Sequence, residues 1–483
     1  MPLVRPFVCT VRSLCLGPKP HSQQGRNSTM AHAKHTLSRR TFLRATAFGV
    51  AGLAIAACAP AVAPASDSGA ESAQPASESA TIAYWTFWAD RWGEFQQQIV
   101  DNYNANNNDG IQVEMLIVPW GDLSVKLLTA VSAGNPPDFT IIGRGEVVEW
   151  AVREGILPLD DHIAASSTVK PEDWFEAAWD ECLWEGKVFA QPFESGTYAA
   201  WYNKALFEEA GLDPNQPPVT WADVDAAAEA ITQGSAADGY SVVGFIPWSS
   251  RIDLLGWLAG GEWYDAAAQQ ITATTPENIA AFEWVKQYAD QYGGETLERF
   301  RQGLGGGDTE DDPFYRGQIA MVWKGSWSLS AKQEYAPDVP FGVHPLPYRG
   351  DAGNDSINQG SACVLPVGSP NPDAAYKFLT YMSIDGVAQW VPVAADMVSR
   401  RDQTDIYPEV LPDNDEFRGY WQLYNDALGY SHFEPPMPAR RFWNDQLQAA
   451  IDAVVRGQKS PEQALQDAQD AAQRELDKAL GKA

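Results

Sequence analysis

The chain has few cysteines, few histidines and little positive charge. Its 483 residues include five Cys and six His, and 34 Lys and Arg stand against 63 Asp and Glu, for a formal net charge of −29. Such a balance argues against a surface that neutralises a run of phosphates, so we expect no nucleic-acid partner and no polyanionic ligand. No Cys/His cluster has the spacing of a metal site, and neither a metal nor a cofactor is expected.

The five cysteines do not form a disulfide framework. Cys9 and Cys15 lie near the N-terminus, Cys58 ends an apolar segment, and only Cys182 and Cys363 belong to the long remainder of the chain. Two cysteines so far apart in sequence fit either one disulfide in an oxidising compartment or two buried free thiols. The sequence leaves both alternatives open.

An export leader precedes the main part of the chain. Arg39 and Arg40 are followed by the apolar run 45–57, which suits the core of a signal peptide. The run is shorter than the about 20 apolar residues of a membrane span. The small residues before Cys58 resemble a bacterial lipobox, and the paired arginines resemble the twin-arginine export signal. We therefore expect lipid on Cys58 and a protein held outside the cytoplasmic membrane, in the periplasm or at the cell surface. An ordinary signal peptide with an incidental cysteine is the alternative.

Two segments that flank this leader are not expected to fold. Residues 1–29 have no periodic pattern and precede Met30, a natural start for the leader 30–58, so we interpret them as a gene-model extension. Residues 59–80 consist almost wholly of Ala, Pro, Ser, Gly and acidic residues, a composition that cannot bury a core. They are predicted to be a flexible linker to a body that begins at residue 81.

The body alternates between strand and helix patterns. It exceeds the usual size of one domain, so two domains are expected. The capping box at Thr220 and the pair Ser460-Pro461 each mark the start of a helix. The patterns predict strands at 81–85, 111–118 and 138–142 and helices at 93–103, 123–131, 146–154, 221–232 and 461–480. This βαβαβ order predicts an α/β fold with a mostly parallel sheet covered by helices.

Several short motifs follow one another in a family-specific order. They are Gly134-Asn135-Pro136-Pro137-Asp138, Gly155-Ile156-Leu157-Pro158-Leu159-Asp160, Gly186-Lys187-Val188-Phe189-Ala190-Gln191-Pro192, Trp201-Tyr202-Asn203-Lys204, and Phe314 to Met321 leading to Gly325-Ser326-Trp327. By these motifs, nearly the whole body resembles the extracellular sugar-binding proteins of ABC importers, of the maltose-binding-protein-like group. The resemblance implies a periplasmic-binding-protein fold of two α/β lobes, a hinge that closes over a sugar, and a membrane permease as partner.

The resemblance also implies where the chain crosses between the lobes. Crossings are expected near 192–196, 360–366 and 395–412. Lobe 1 is therefore predicted to comprise 81–194 and 364–410, and lobe 2 to comprise 195–363 and 411–483. We expect the protein to act as a monomer.

The ligand site is predicted from aromatic and polar side chains. Aromatic rings stack on the apolar face of a pyranose, and polar groups pair with its hydroxyls. Candidates come from loops that follow predicted strands, from the expected hinge, and from positions that match aromatic residues of the family. The predicted ligand-binding residues are Trp88, Asp90, Arg144, Glu146, Glu194, Tyr198, Trp248, Asp253, Trp327 and Trp443. Trp327 is the leading candidate. Core packing is the alternative for each of the four tryptophans, Trp327 included, and a solvated charge or hinge ion pair is the alternative for Asp90, Arg144 and Glu194.

Two other functions use the same residue types. A glycoside hydrolase needs two carboxylates that flank the scissile bond, yet no pair in the sequence has a positional reason to act together. A binding protein for a cationic or other non-sugar solute is the second alternative because acidic residues are abundant, although the 19 Trp favour a sugar. We therefore expect capture of a mono- or oligosaccharide without catalysis.

Overall fold

The structure is a computed structural model that describes residues 80–249, 251–404 and 406–482. The predictions for the N-terminal extension, for the leader with Cys58 and for residues 59–79 of the linker lie outside the described residues. Within the described ranges, no helix has both the length and the apolar character needed to cross a membrane.

Helices and short strands account for most of the described chain. The helices are α1 Asp90–Asn106, α2 Trp120–Ser132, α3 Val147–Val152, α4 Asp160–Ala165, α5 Glu176–Asp180, α6 Lys204–Glu209, α7 Trp221–Ile231, α8 Ile252–Leu258, α9 Pro276–Tyr292, α10 Gly294–Gln302, α11 Ser328–Tyr335, α12 Pro372–Tyr381, α13 Val387–Ala394, α14 Asp415–Ala427, α15 Arg440–Val455 and α16 Pro461–Ala479. The strands are β1 Thr81–Thr86, β2 Gln112–Ile117, β3 Phe139–Gly143, β4 Leu183–Trp184, β5 Lys187–Val188, β6 Gln191–Gly196, β7 Tyr198–Asn203, β8 Gln233–Ser235, β9 Gly239–Val242, β10 Tyr264–Asp265, β11 Gln270–Ile271, β12 Met321–Gly325, β13 Phe341–His344, β14 Ile357–Val364, β15 Met397–Val398 and β16 His432–Phe433.

The predicted starts of two helices are confirmed. The Thr220 hydroxyl accepts a hydrogen bond from the Asp223 amide at 3.3 Å, and the Asp223 carboxylate accepts from the Thr220 amide at 2.9 Å. The Ser460 hydroxyl accepts from the Gln463 amide at 3.2 Å, with Pro461 as the first residue of α16. Each cap satisfies backbone donors that have no partner inside the helix.

The larger sheet has the strand order β15-β6-β14-β3-β1-β2, with β16 beside β14. Strand β1 runs parallel to β2 and β3, whereas β14 is antiparallel to both β3 and β6. Strand β6 therefore runs in the same direction as β1 and β3. As a result, the carboxyl ends of β1, β3 and β6 and the amino end of β14 meet at one edge of the sheet.

A smaller antiparallel sheet has the order β12-β7-β13. The chain passes from the larger to the smaller sheet over a single residue, Thr197, between β6 and β7. Each sheet has its own core. One apolar cluster joins β1 and β3 to α1, α12 and α13, and another joins β7 and β12 to α9, α15 and α16. We call these two halves the main-sheet lobe and the small-sheet lobe.

The two cysteines of the body are buried free thiols. Cys182 lies between α5 and β4, and Cys363 lies on β14. Burial raises the pKa of both thiols. Of the two alternatives that the sequence left open, the structure has the pair of free thiols.

Candidate functional site

A cavity of about 720 Å³ opens where β1, β3 and β6 end. Its walls come from both lobes, because side chains of α1, α2 and α13 face side chains of β7, α8 and α15. The polar ends of the main-sheet strands therefore form its floor. This is the place where open α/β sheets bind their ligands.

Aromatic rings cover the main-sheet side of the cavity. The ring centroids of Phe87 and Trp88 are 4.2 Å apart, and Trp88 lies 4.8 Å from Trp390. Trp120 meets Phe87 edge-on at 4.5 Å and is 54% exposed. The rings form a continuous apolar surface from the buried Trp390 to the mouth of the cavity.

Trp327 and Tyr198 form the aromatic part of the opposite wall. Their ring centroids are 5.5 Å apart and their planes meet at 88°. Two glycines make room for the indole: a Cβ at Gly325 would lie 2.2 Å from the Trp327 ring, and a Cβ at Gly196 would lie 2.9 Å from it. The backbone of β6 and β12 thus holds Trp327 from behind and leaves its ring at the cavity.

Two arginines and two carboxylates form a compact network beside these rings. The Arg251 guanidinium contacts Asp253 through Nε at 3.0 Å and Glu434 through Nη2 at 2.7 Å. Arg440 Nη2 lies 3.2 Å from the same oxygen of Glu434. Burial opposes ionisation of Glu434, but Arg440 and Arg251 outweigh it and hold the pKa of Glu434 at about 2. Glu434 is therefore ionised at neutral pH and is held in place by both guanidiniums.

Two further carboxylates lie at the floor. Glu194 accepts hydrogen bonds from the amide and the hydroxyl of Ser361, both at 2.8 Å. Asp396 Oδ2 accepts from Trp390 Nε1 at 2.8 Å. Burial raises the pKa of both carboxyls; the bonds from Ser361 oppose this at Glu194, whereas the charge of Glu194 adds to it at Asp396.

Six of the predicted ligand-binding residues line the cavity. They are Trp88, Glu146, Glu194, Tyr198, Asp253 and Trp327. Glu146 sits beyond β3, where its Oε2 accepts a hydrogen bond from the Ser124 hydroxyl at 2.9 Å. Burial raises the pKa of Glu146, against the effect of that hydrogen bond. A direct contact between these six residues and a ligand stays a prediction.

Arg144 lies behind the floor and does not line the cavity. Its side chain is 1% exposed and forms an ion pair with Glu181. Nη1 donates to the Glu194 carbonyl at 3.2 Å and to the Ser195 hydroxyl at 3.1 Å, and Nη2 donates to Asn358 at 3.0 Å. All of its donors point at protein groups, so Arg144 holds β6 and β14 together beneath the site.

Three more predicted residues lie outside the cavity lining. Asp90 is the exposed first residue of α1. Trp248 is 6% exposed, and its Nε1 donates to Glu298 at 3.3 Å. Trp443 is 1% exposed and packs 5.7 Å from Trp263 in the small-sheet core. For both tryptophans the structure has the core packing that was the alternative.

The cavity also contains residues that sequence reasoning missed. They are Phe87, Trp92, Trp120, Gln359, Trp390, Asp396, Glu434, Arg440, Arg441, Asn444, Asp445 and Gln448. A signal existed for α15, because Arg441, Asn444, Asp445 and Gln448 recur at helical spacing as a polar stripe. Asp396 follows a helix in a segment without any motif, and no comparable signal marks it.

The family model for bacterial extracellular solute-binding proteins matches residues 98–390, more than half of the chain. The chain belongs to this family. It is therefore a solute-binding protein of two lobes, and its cavity occupies the cleft between them. The family is one of binding proteins that work outside the cell's cytoplasm, so binding is the activity that the match supports.

Curated relatives of this solute-binding protein cover most of its length. The sn-glycerol-3-phosphate-binding periplasmic protein of Escherichia coli K12 is 24% identical over 422 residues, which are 80% of this chain and 90% of the relative. The protein of the same name from Shigella dysenteriae serotype 1 is 25% identical over 425 residues, with 80% and 90% covered.

Solved structures of sugar complexes have the same fold. The mannotriose-bound structure of CpMnBP1 has a TM-score of 0.74 at 26% identity and covers 81% of this chain and 99% of its own. The mannobiose-bound structure has a TM-score of 0.73 at 25% identity, with 82% and 100% covered. The maltotriose-bound maltodextrin-binding domain of Bdellovibrio bacteriovorus has a TM-score of 0.67 at 17% identity, with 82% and 99% covered, and its likeness concerns the fold alone.

Proposed function

We propose that this solute-binding protein captures a mono- or oligosaccharide for an ABC importer. The observation that carries the proposal is one cavity with aromatic rings on two opposite sides and hydrogen-bonding groups between them. Trp88 and Trp120 line one side, and Trp327 and Tyr198 line the other. Such a cavity suits a pyranose ring, whose apolar faces stack while its rim of hydroxyls finds paired donors and acceptors. The mannobiose and mannotriose bound by the relatives are ligands of this kind.

To deliver a sugar, the binding protein needs an open and a closed form that the permease can distinguish. We propose that the lobes, 81–194 with 364–410 and 195–363 with 411–483, close about the crossings near Thr197, β14 and the segment before α14. Support comes from the change of sheet between β6 and β7 and from the separate cores. A sugar that touches both walls binds the closed form better and shifts the population toward it. Lipid on Cys58 would hold the monomer at the membrane beside its permease.

A phosphorylated solute is the second candidate because the curated relatives bind sn-glycerol 3-phosphate. The charged side chains that line the cavity disfavour binding of a phosphate group. The guanidiniums of Arg251 and Arg440 are already engaged by Asp253 and Glu434. A phosphate entering the cavity would have to displace these carboxylates and lie near the negative floor.

A glycoside hydrolase is less well supported. Asp253 and Glu434 are held in ion pairs, and Glu194 is engaged by Ser361. Carboxylates fixed in this way suit hydroxyl binding rather than proton transfer to a leaving group.

A thermal-shift screen followed by calorimetry tests the proposal. Mono-, di- and trisaccharides are compared with sn-glycerol 3-phosphate and with spermidine. A ligand that binds only the folded protein raises Tm by mass action. We expect a rise in Tm with one class of sugar and recovery of that sugar intact. A response to glycerol 3-phosphate or spermidine without any response to sugars would overturn the substrate class, and cleavage of the sugar would overturn the binding role.

A further inference from the structure

The cavity lining has more carboxyl groups than guanidinium groups. It is lined by six carboxylate side chains and three guanidinium side chains: Glu146, Glu194, Asp253, Asp396, Glu434 and Asp445 against Arg251, Arg440 and Arg441. Asp253 and Glu434 share the two arginines of the compact network. Four carboxyl groups and one guanidinium, that of Arg441, remain in the lining outside this network. Burial raises the pKa of three of these four, Glu146, Glu194 and Asp396, so no positive side chain of the lining compensates them.

Two of these carboxyl groups are neighbours at the floor. Glu194 lies on β6, and Asp396 directly precedes β15, the strand whose Val398 is paired with Glu194 and whose Met397 is paired with Ser195. The two carboxylates are thus neighbours on adjacent strands, and they are 8% and 5% exposed. Among the described residues, neither carboxylate has an ion-pair partner. The buried Arg144 contacts the carbonyl of Glu194 and pairs with Glu181; its charge partly opposes the rise in the pKa of Glu194 but forms no ion pair with that carboxylate.

Asp396 has an oxygen without a donor. Its Oδ2 accepts from Trp390 Nε1, but no hydrogen bond reaches Oδ1 from any residue that the structure describes. The side chain is almost wholly buried and belongs to the cavity lining. A buried carboxylate next to a second carboxylate is costly unless a positive group compensates it. The mutual effect is visible in the raised pKa of Asp396, which burial and the charge of Glu194 both produce.

We propose that the solute is a sugar with a free amino group and that its ammonium binds between Glu194 and Asp396. The inference rests on the proposed function and names the class of sugar. An ammonium donates hydrogen bonds to both carboxylates and neutralises part of their charge. Trp88 and Trp390 line the same cavity, and Trp390 meets Asp396 with the N–H edge of its indole. The hydroxyls of the same sugar pair with the Arg251 network, and its apolar face stacks on Trp327.

A set of matched sugars separates the contribution of the amine to affinity from that of the rest of the ligand. The probes are glucosamine, N-acetylglucosamine and glucose, the corresponding three mannose compounds, and the β-1,4 disaccharides chitobiose, diacetylchitobiose and cellobiose. Isothermal titration with the full chain at about pH 6, where a sugar amine is protonated, gives Kd for each. Within the set that binds, we expect the amine to bind at least about tenfold tighter than both its neutral partners.

A charge-removing variant tests the location. Asp396→Asn keeps an acceptor for Trp390 and removes the charge, so the ratio of amine to neutral affinity should fall about tenfold. Asp101→Asn, an exposed position on α1, makes the same change in net charge and should keep the ratio. If Asp396→Asn does not fold, Glu194→Gln serves the same purpose. In the unmodified protein, added salt should weaken amine binding more than neutral binding.

The outcomes separate this inference from the proposed function. A neutral or N-acetylated sugar that binds as tightly as its amine overturns the ammonium site while the sugar receptor stands. An amine preference that survives Asp396→Asn and Glu194→Gln also overturns it. Failure of every sugar to bind, with or without binding of spermidine, removes the proposed function and the inference together.

Discussion

Trp327 is the single side chain on which the proposed sugar contact depends most. Its ring faces the cavity and its back is fitted against Gly196 and Gly325. We expect Trp327→Ala to weaken sugar binding at least about tenfold, because an aromatic anchor in a desolvated pocket contributes more than 1 kcal/mol. Calorimetry measures the affinity, and circular dichroism checks the fold.

The matched control for this variant is Trp443→Phe. Trp443 lies in the small-sheet core against Trp263, so its truncation should lower Tm with little change in Kd. Equal losses of affinity in the two variants would mean that Trp327 acts through stability and does not touch the sugar.

Arg144 is predicted to be a stability residue. Arg144→Met leaves Glu181 buried without its cation, and breaking a buried pair in this way typically lowers the free energy of unfolding by about 3–5 kcal/mol. Urea denaturation measures the change. Arg153→Met is the control, because Arg153 pairs with Glu149 from a side chain that is 44% exposed, and less than about 1 kcal/mol is expected there. A loss at Arg144 as small as at Arg153 would contradict the structural role.

His344 makes stability depend on pH. Burial holds the pKa of this histidine at about 4, against an ordinary value of 6.5. Between these two values the unfolded chain binds a proton at this histidine and the folded protein does not. The contribution of the neutral His344 to the free energy of unfolding is therefore complete above pH 6.5 and is lost as the pH falls toward 4. The loss amounts to about 3 kcal/mol. Denaturation across this range should show the slope, and His344→Gln should flatten it. An unchanged slope, or an equal effect of His162→Gln on α4, would assign the dependence to other groups.

At the scale of an element, α15 shows what periodicity can and cannot reveal. Trp443, Leu447, Ile451 and Val454 form its buried stripe. This apolar periodicity is visible in the sequence and indicates that Trp443 is buried in the core. The structure agrees with the periodicity and not with the family resemblance, which suggested Trp443 as a ligand contact. The polar stripe on another side of the helix reaches the cavity. A pattern of polar positions alone does not tell a cleft from bulk solvent, so this face was missed.

The main-sheet strands were easier to predict than the floor that they form. β1, β2 and β3 lie where the sequence patterns predicted strands at 81–85, 111–118 and 138–142, because such a pattern is local in sequence. The floor depends on β15 pairing with β6 and on β14 inserting between β6 and β3. These are long-range pairings between segments far apart in the chain. Glu194 and Asp396 are neighbours because of these pairings, and no sequence motif predicts that they are.

At the scale of the whole molecule, polar contacts connect the lobes, and the following two join helices of opposite lobes. Arg91 of α1 forms an ion pair with Glu334 of α11, with 2.7 Å between Nη1 and Oε2. The Glu149 carboxylate of α3 accepts a hydrogen bond from the Arg441 amide of α15 at 2.9 Å. Each contact joins an element of the main-sheet lobe to one of the small-sheet lobe. If the lobes separate about the crossings to release a sugar, both contacts must break.

The rate of sugar release should therefore respond to a change at the lobe contact. Glu334→Gln removes one charge from a pair whose glutamate side chain is 43% exposed. Such pairs contribute about 0.2–1 kcal/mol, so the dissociation rate should rise by up to about fivefold. Because the cavity is not touched by Glu334, the association rate should change little, and stopped-flow tryptophan fluorescence separates the two rates. Glu283→Gln on the exposed face of α9 is the control for net charge. If both variants release the sugar at the unmodified rate, the ion pair does not hold the closed form, and closure must then depend on the remaining contacts between the lobes and on those that the sugar itself makes with the two walls.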